Sequence, residues 1–158
     1  MTILIQGILI GIIATICMDI WSLVVKHVLR LPTANWAHVG RWFGHMPRGV
    51  IVHKSIGESA EIPNELAIGW IAHYITGIVY GLAYLIIVNV LLSRDPSLLS
   101  ALVFGIVTLV APWLIMQPCM GAGAFASRTP KPAVTRFVNA SMHIVFGMSL
   151  YLGWLILP

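Results

Sequence analysis

The chain has 158 residues, of which 59% are hydrophobic and 9% charged, with a formal net charge of +4. A mean hydropathy of +0.94 excludes an ordinary soluble domain, in which roughly a quarter of the residues carry charge. The positive balance suits anionic lipid headgroups and is poor evidence for nucleic acid.

Four apolar stretches each supply the ~20 residues that a helix needs to cross a bilayer while satisfying its own backbone. They predict an all-α polytopic membrane protein, a single transmembrane domain over 1–158 with helices at about 3–27, 66–92, 98–118 and 134–156. The first stretch has no basic residue before it and no small-residue cleavage site, and Lys26, His27 and Arg30 follow it. It therefore reads as a retained span, not a signal peptide.

The loop over 31–65 is the one substantial segment outside the membrane. Asn35 is placed to cap a short amphipathic helix with Trp36, Val39, Trp42, Phe43 and Met46 on one side and His38, Arg41, His45 and Arg48 on the other. Such a basic, aromatic pattern predicts a helix lying in the membrane interface, though Gly40, Gly44 and Pro47 weaken it. His38 and His45 would share a face there, where they could collect a cation.

Ser93-Arg94-Asp95-Pro96 joins the second and third helices tightly. The third and fourth are joined by a segment that begins Gly121-Ala122-Gly123 and ends Lys131-Pro132. Eight lysines and arginines, Lys26, Arg30, Arg41, Arg48, Lys54, Arg128, Lys131 and Arg136, flank one side of the membrane, and Arg94 alone flanks the other. The positive-inside rule then places the two longer loops in the cytoplasm and both termini outside, in a bacterial inner membrane.

Asp19, His73 and His143 stand inside stretches that otherwise carry no charge. Such groups are costly in hydrocarbon unless they pair, bind an ion or meet water in a cavity, which makes them default site candidates. Each lies six or seven residues inside its stretch, hence about 9 to 11 Å below the cytoplasmic boundary at the helical rise. Gln117 ends the third helix in the same leaflet, where Pro112 and Pro118 free backbone carbonyls.

Two histidines and a carboxylate suit a divalent transition metal, with Met116, Cys119 and Met120 as softer ligands nearby. The same three residues could bind protons or a small solute. The histidines could also be axial ligands of a haem. In the plainest alternative each histidine hydrogen-bonds a carbonyl or Thr76, and Asp19 pairs with a histidine to pin the bundle. The amides of Gly121 to Gly123 with Arg128 and Lys131, and Arg41 and Arg48 in the first loop, are candidates for an anion or lipid headgroup.

Gly69, His73, Gly77 and Gly81, like Gly7, Gly11, Thr15 and Asp19, recur every four residues and so share a helix face. These faces predict close helix packing, and a homodimer formed through them is the expected route to a transport pathway. Cys17 and Cys119 predict neither a disulfide nor a zinc site. No nucleophile, base and orienter arrangement for hydrolysis and no dinucleotide signature is present, which leaves a haem- or metal-binding redox protein or enzyme, and an assembly protein with no ligand, as the alternatives to a site for an ion, proton or small solute.

The stretches Val39 to Gly49, Glu65 to His73, and Ala111-Pro112 through Met116-Gln117-Pro118-Cys119-Met120-Gly121 to Thr129-Pro130 resemble a family of small bacterial inner-membrane proteins. That family is catalogued as domain of unknown function two-nine-three-eight. The resemblance covers nearly the whole chain and implies a bacterial four-span membrane protein. It carries no activity, cofactor or site residue.

Overall fold

A computed structural model describes residues 1–157. Its principal elements are α1 (Ile3–His27), α2 (Trp36–His45), α3 (Glu65–Leu91), α4 (Leu98–Cys119) and α5 (Pro132–Ile156), with no strand among the described residues. α1, α3, α4 and α5 are the four helices long and apolar enough to cross a membrane. Their directions alternate, so the 28–64 and 120–131 segments share the basic side and the short α3–α4 turn lies opposite.

α3 packs on α1, α1 on α5, and α5 on α4, while α2 lies against α3. The seams are made by small residues. A Cβ on Gly11 would meet the Gly77 carbonyl oxygen at 2.5 Å, and one on Gly147 would meet the Ala101 oxygen at 2.6 Å. Association in lipid rests on such close packing, because apolar side chains gain little by leaving hydrocarbon for one another. The glycine faces are therefore consumed within one chain. Close packing at Gly7, Gly11, Gly77, Gly81 and Gly147 is thus already supplied inside a single chain.

The larger core cluster, Ile10, Ala14, Tyr84, Leu85, Val88, Ala101, Phe146 and Leu150, fills the half of the bundle away from the basic loops. There Tyr84 bridges α3 to α4 by a hydrogen bond with the Ser100 hydroxyl at 2.9 Å, and Tyr80 and Tyr84 pack on Phe104. In the basic half, α2 packs on α3 and contributes Trp36, Trp42 and Phe43 to the lining of a cavity shared with α4, so that it forms a roof there.

Asn35 caps α2 as its sequence predicts, its Oδ1 accepting from the amides of Ala37 and His38. The helix does not lie with a solvated basic face. Arg41 is 4% exposed and His45 8%, because Gly40 and Gly69 let α2 sink onto α3 until backbone meets backbone. Arg41 then donates to both Glu65 oxygens at 2.8 Å and to the carbonyls of Ile56, Gly57 and Ser59. Its charge is spent on Glu65, which corrects its assignment to a headgroup. The Glu65 hydrogen bonds hold the guanidinium pKa above its ordinary value, against the opposing effect of burial.

Below the roof, the 50–57 strand of loop is pinned to the end of α4 by hydrogen bonds from His53 N to the Cys119 carbonyl (2.7 Å) and from Ile56 N to the Met120 carbonyl (3.0 Å). Gly121 takes φ +89 where the Lys54 carbonyl crowds it, a position that only glycine fills without strain.

Candidate functional site

α4 is not a regular helix at its centre. Pro112 has no N–H to donate, and around it the backbone loosens into a π-helical turn over Ala111–Met116. Just before the turn, Leu109 N bonds the Ile106 carbonyl at 3.1 Å instead of reaching back to Gly105. The Gly105 carbonyl, deprived of its helical donor, accepts from the Thr108 hydroxyl at 2.6 Å and from His143 Nδ1 at 3.3 Å.

This fixes the His143 tautomer. A carbonyl can only accept, and Thr108 has spent its one hydrogen on Gly105, so Nδ1 of His143 carries the proton and donates to Thr108 Oγ1 at 2.9 Å. Nε2 is left with the lone pair and has no hydrogen-bond partner among the described residues.

On the opposite pair of helices, Asp19 of α1 and residues of α3 form a second polar group. His73 Nε2 donates to Asp19 Oδ1 at 3.0 Å, and the Tyr74 hydroxyl donates to Oδ2 at 2.9 Å. The His73 ring stacks on Trp36 of the roof, with centroids 4.0 Å apart and planes 30° apart. Asp19 and His73 each stand eight residues from the basic-side end of their helix, about 12 Å deep. His143 lies eleven residues inside α5, about 16 Å deep.

All three residues line one cavity of about 340 Å³. Every helix contributes to it: Thr15 and Met18 from α1, Trp36, Trp42 and Phe43 from α2, Thr76 and Tyr80 from α3, Pro112 and Met116 from α4, Asn139 and Phe146 from α5. The walls are mainly carbon and aromatic, with no lysine or arginine among the lining residues.

Asp19 and His73 are thus in direct contact, and His143 shares their cavity on a separate pair of partners. No three His, Cys, Asp or Glu side chains among the described residues are grouped to hold a metal ion. A flat macrocycle ligated through His73 would have to displace both the Asp19 bond at Nε2 and the Trp36 ring on its face.

Thr76 bonds the Ala72 carbonyl on its own helix and is no partner of either histidine. Gln117 is outside the cavity lining, and its Nε2 donates to Asn139 Oδ1 at 2.8 Å. Met116 lines the cavity, whereas Cys119 and Met120 hold the loop through their carbonyls. In the α4–α5 segment, the amides of Gly121 and Ala122 bond Pro118 and Gln117 and are not free for an anion. Arg48, Arg128 and Lys131 remain exposed.

Tyr74, Thr108 and Trp36 are the site residues that sequence reading did not single out for these roles. Tyr74 follows His73 directly, and its hydroxyl in an apolar run was the one available signal.

Residues 8–157 match the model of a family described as "Protein of unknown function (DUF2938)". No curated protein and no solved structure gives a match to the chain.

Proposed function

The chain belongs to that family of unknown function, a premise that supplies no activity, and we propose from the geometry that it binds a small organic solute within the membrane as a step in its passage. The observation that carries this reading is the cavity of about 340 Å³ lined from all five helices. Its volume falls in the range of small-molecule pockets and its walls have their composition, mostly apolar with a few convergent polar groups. A bare ion would need a tighter, more polar cage.

Asp19 and the free Nε2 of His143 are the acceptors that orient the solute, and the aromatic rings of the roof cover it. The basic loops face the cytoplasm in this reading, which rests on eight basic residues against one across the two sides. The cavity then opens from the cytoplasmic leaflet of an inner membrane.

The test is a binding titration in lipid nanodiscs, read by tryptophan fluorescence because Trp36 and Trp42 line the cavity. The probes are 2-phenylethanol, phenethylamine and 3-phenylpropionate, three small aromatic solutes that differ in charge. At least one binds saturably, and Ala72→Phe, which places a ring among the lining residues, abolishes that binding. Absence of saturable binding for all three, or binding indifferent to Ala72→Phe, overturns the reading.

A further inference from the structure

The charge of the cavity selects its solute. Asp19 is 20% exposed at its side chain and His73 10%, and both line the cavity, as do Tyr80 and His143. Tyr74 meets the Asp19 carboxylate from α3, and these five are the titratable groups that face one another there. None is a permanent cation. An ionised Asp19 in such surroundings is stabilised by a positive partner, because an unpaired ion in a low-dielectric interior is strongly disfavoured.

Two sources of positive charge are compatible with the geometry. One is a proton on His73, whose Nε2–H points at Asp19 Oδ1 and whose ring stacks on Trp36. The other is a cation in the cavity itself, where Trp36, Trp42, Phe43, Tyr80 and Phe146 offer ring faces to a positive group. A primary ammonium adds N–H donors. His143 presents the complementary acceptor, since its Nδ1–H is committed to Thr108 and Gly105 and Nε2 carries the lone pair.

Resting on the solute-binding reading above, we propose that the ligand is a lipophilic amine in its protonated form, and that its ammonium replaces the proton of His73 as the counter-charge of Asp19. The exchange is balanced: one ammonium enters, one proton leaves His73 Nδ1 or Nε2 for water, and the charge of the site is unchanged. Protons and amine therefore compete for one carboxylate. An anionic solute would meet Asp19 with no cation to offset it.

The experiment measures the affinity of phenethylamine, 2-phenylethanol and 3-phenylpropionate in nanodiscs between pH 5 and pH 8, a range over which the amine stays protonated. Phenethylamine binds tightest, and its Kd rises as pH falls, with a limiting slope of about tenfold per pH unit for one displaced proton. His73→Gln keeps a donor to Asp19 and removes the slope, while His143→Gln keeps an acceptor and retains it. Asp19→Asn weakens phenethylamine at least tenfold more than it weakens 2-phenylethanol, with unaltered gel-filtration elution showing that the variant is folded.

Equal affinity for 2-phenylethanol, or a slope that survives His73→Gln, overturns the amine assignment and leaves the solute-binding cavity standing. Saturable binding by none of the three probes overturns both.

Discussion

The roof helix is held by an ion pair whose removal has a calculable consequence. Arg41 donates twice to Glu65 at 2.8 Å and to three carbonyls of the 56–59 turn. The two side chains are 5% and 17% exposed. The second carboxylate beside Arg41, that of Glu61, is 83% exposed and contributes little. Arg41→Leu strands the Glu65 carboxylate and the loop carbonyls, a loss of about 3–5 kcal/mol for a buried pair.

That loss falls on the docking of α2, not on the core of Ile10, Tyr84 and Leu150 at the far end of the bundle. By hydrogen exchange in nanodiscs, amides of 36–45 are expected to exchange on the order of a hundredfold faster, the equivalent of the lower bound of that range. Amides of 5–15 and 145–152 keep their protection. The double variant Arg41→Leu/Glu65→Leu recovers part of the loss, since two apolar side chains replace a stranded charge. Uniform acceleration across all helices, or a double variant whose loss equals the sum of the two single ones, would refute a local latch.

Other perturbations test the seams and the loop. Gly11→Ala places a Cβ 2.5 Å from the Gly77 oxygen and 2.8 Å from Ile78 Cα, so α1 and α3 must separate at a cost of about 1–3 kcal/mol, seen as a lower unfolding midpoint in detergent. Thr108→Val removes the acceptor of His143 Nδ1–H and costs about 1 kcal/mol; an unchanged midpoint would contradict the hydrogen bond. Burial, and then the neighbouring His45, lower the His53 pKa from 6.5. The folded loop therefore prefers neutral His53, so stability is full above pH 6.5 and is lost as pH falls toward the depressed folded value. Proteolysis of the 50–61 loop should quicken in that acid window, and His53→Gln should flatten the dependence.

The membrane spans were legible because lipid leaves the backbone no alternative to helices, and apolar runs therefore mark them. α1 runs over the predicted 3–27, and Asn35 caps α2 as expected. The face of α2 was misjudged because a charged side chain was assumed to seek solvent. The partner of Arg41 stands 24 residues on, beyond any helical periodicity. Gly40 and Gly44, which weakened the helix by propensity, are the residues that let it sink onto α3 and the loop, Gly40 against Glu65 and Gly69, and Gly44 against Ile62.

In the site, counting residues put Asp19, His73 and His143 in one layer, whereas the structure keeps Asp19 and His73 level and sets His143 deeper, in the same cavity. The Asp19–His73 bond stood among the alternatives because few partners exist in hydrocarbon. The state of His143 was hidden. It depends on Leu109 slipping to Ile106 and freeing the Gly105 carbonyl, an irregularity that spacing alone does not encode.

The two intramembrane histidines line the same cavity, yet the structure gives them opposite roles. His143 holds its proton against α4 and offers a lone pair, whereas His73 offers its proton to Asp19 and its face to Trp36. Trp36 belongs to the helix that Arg41 latches to Glu65. The same short helix thus carries the Arg41 latch, a wall of the cavity and the ring stacked on His73.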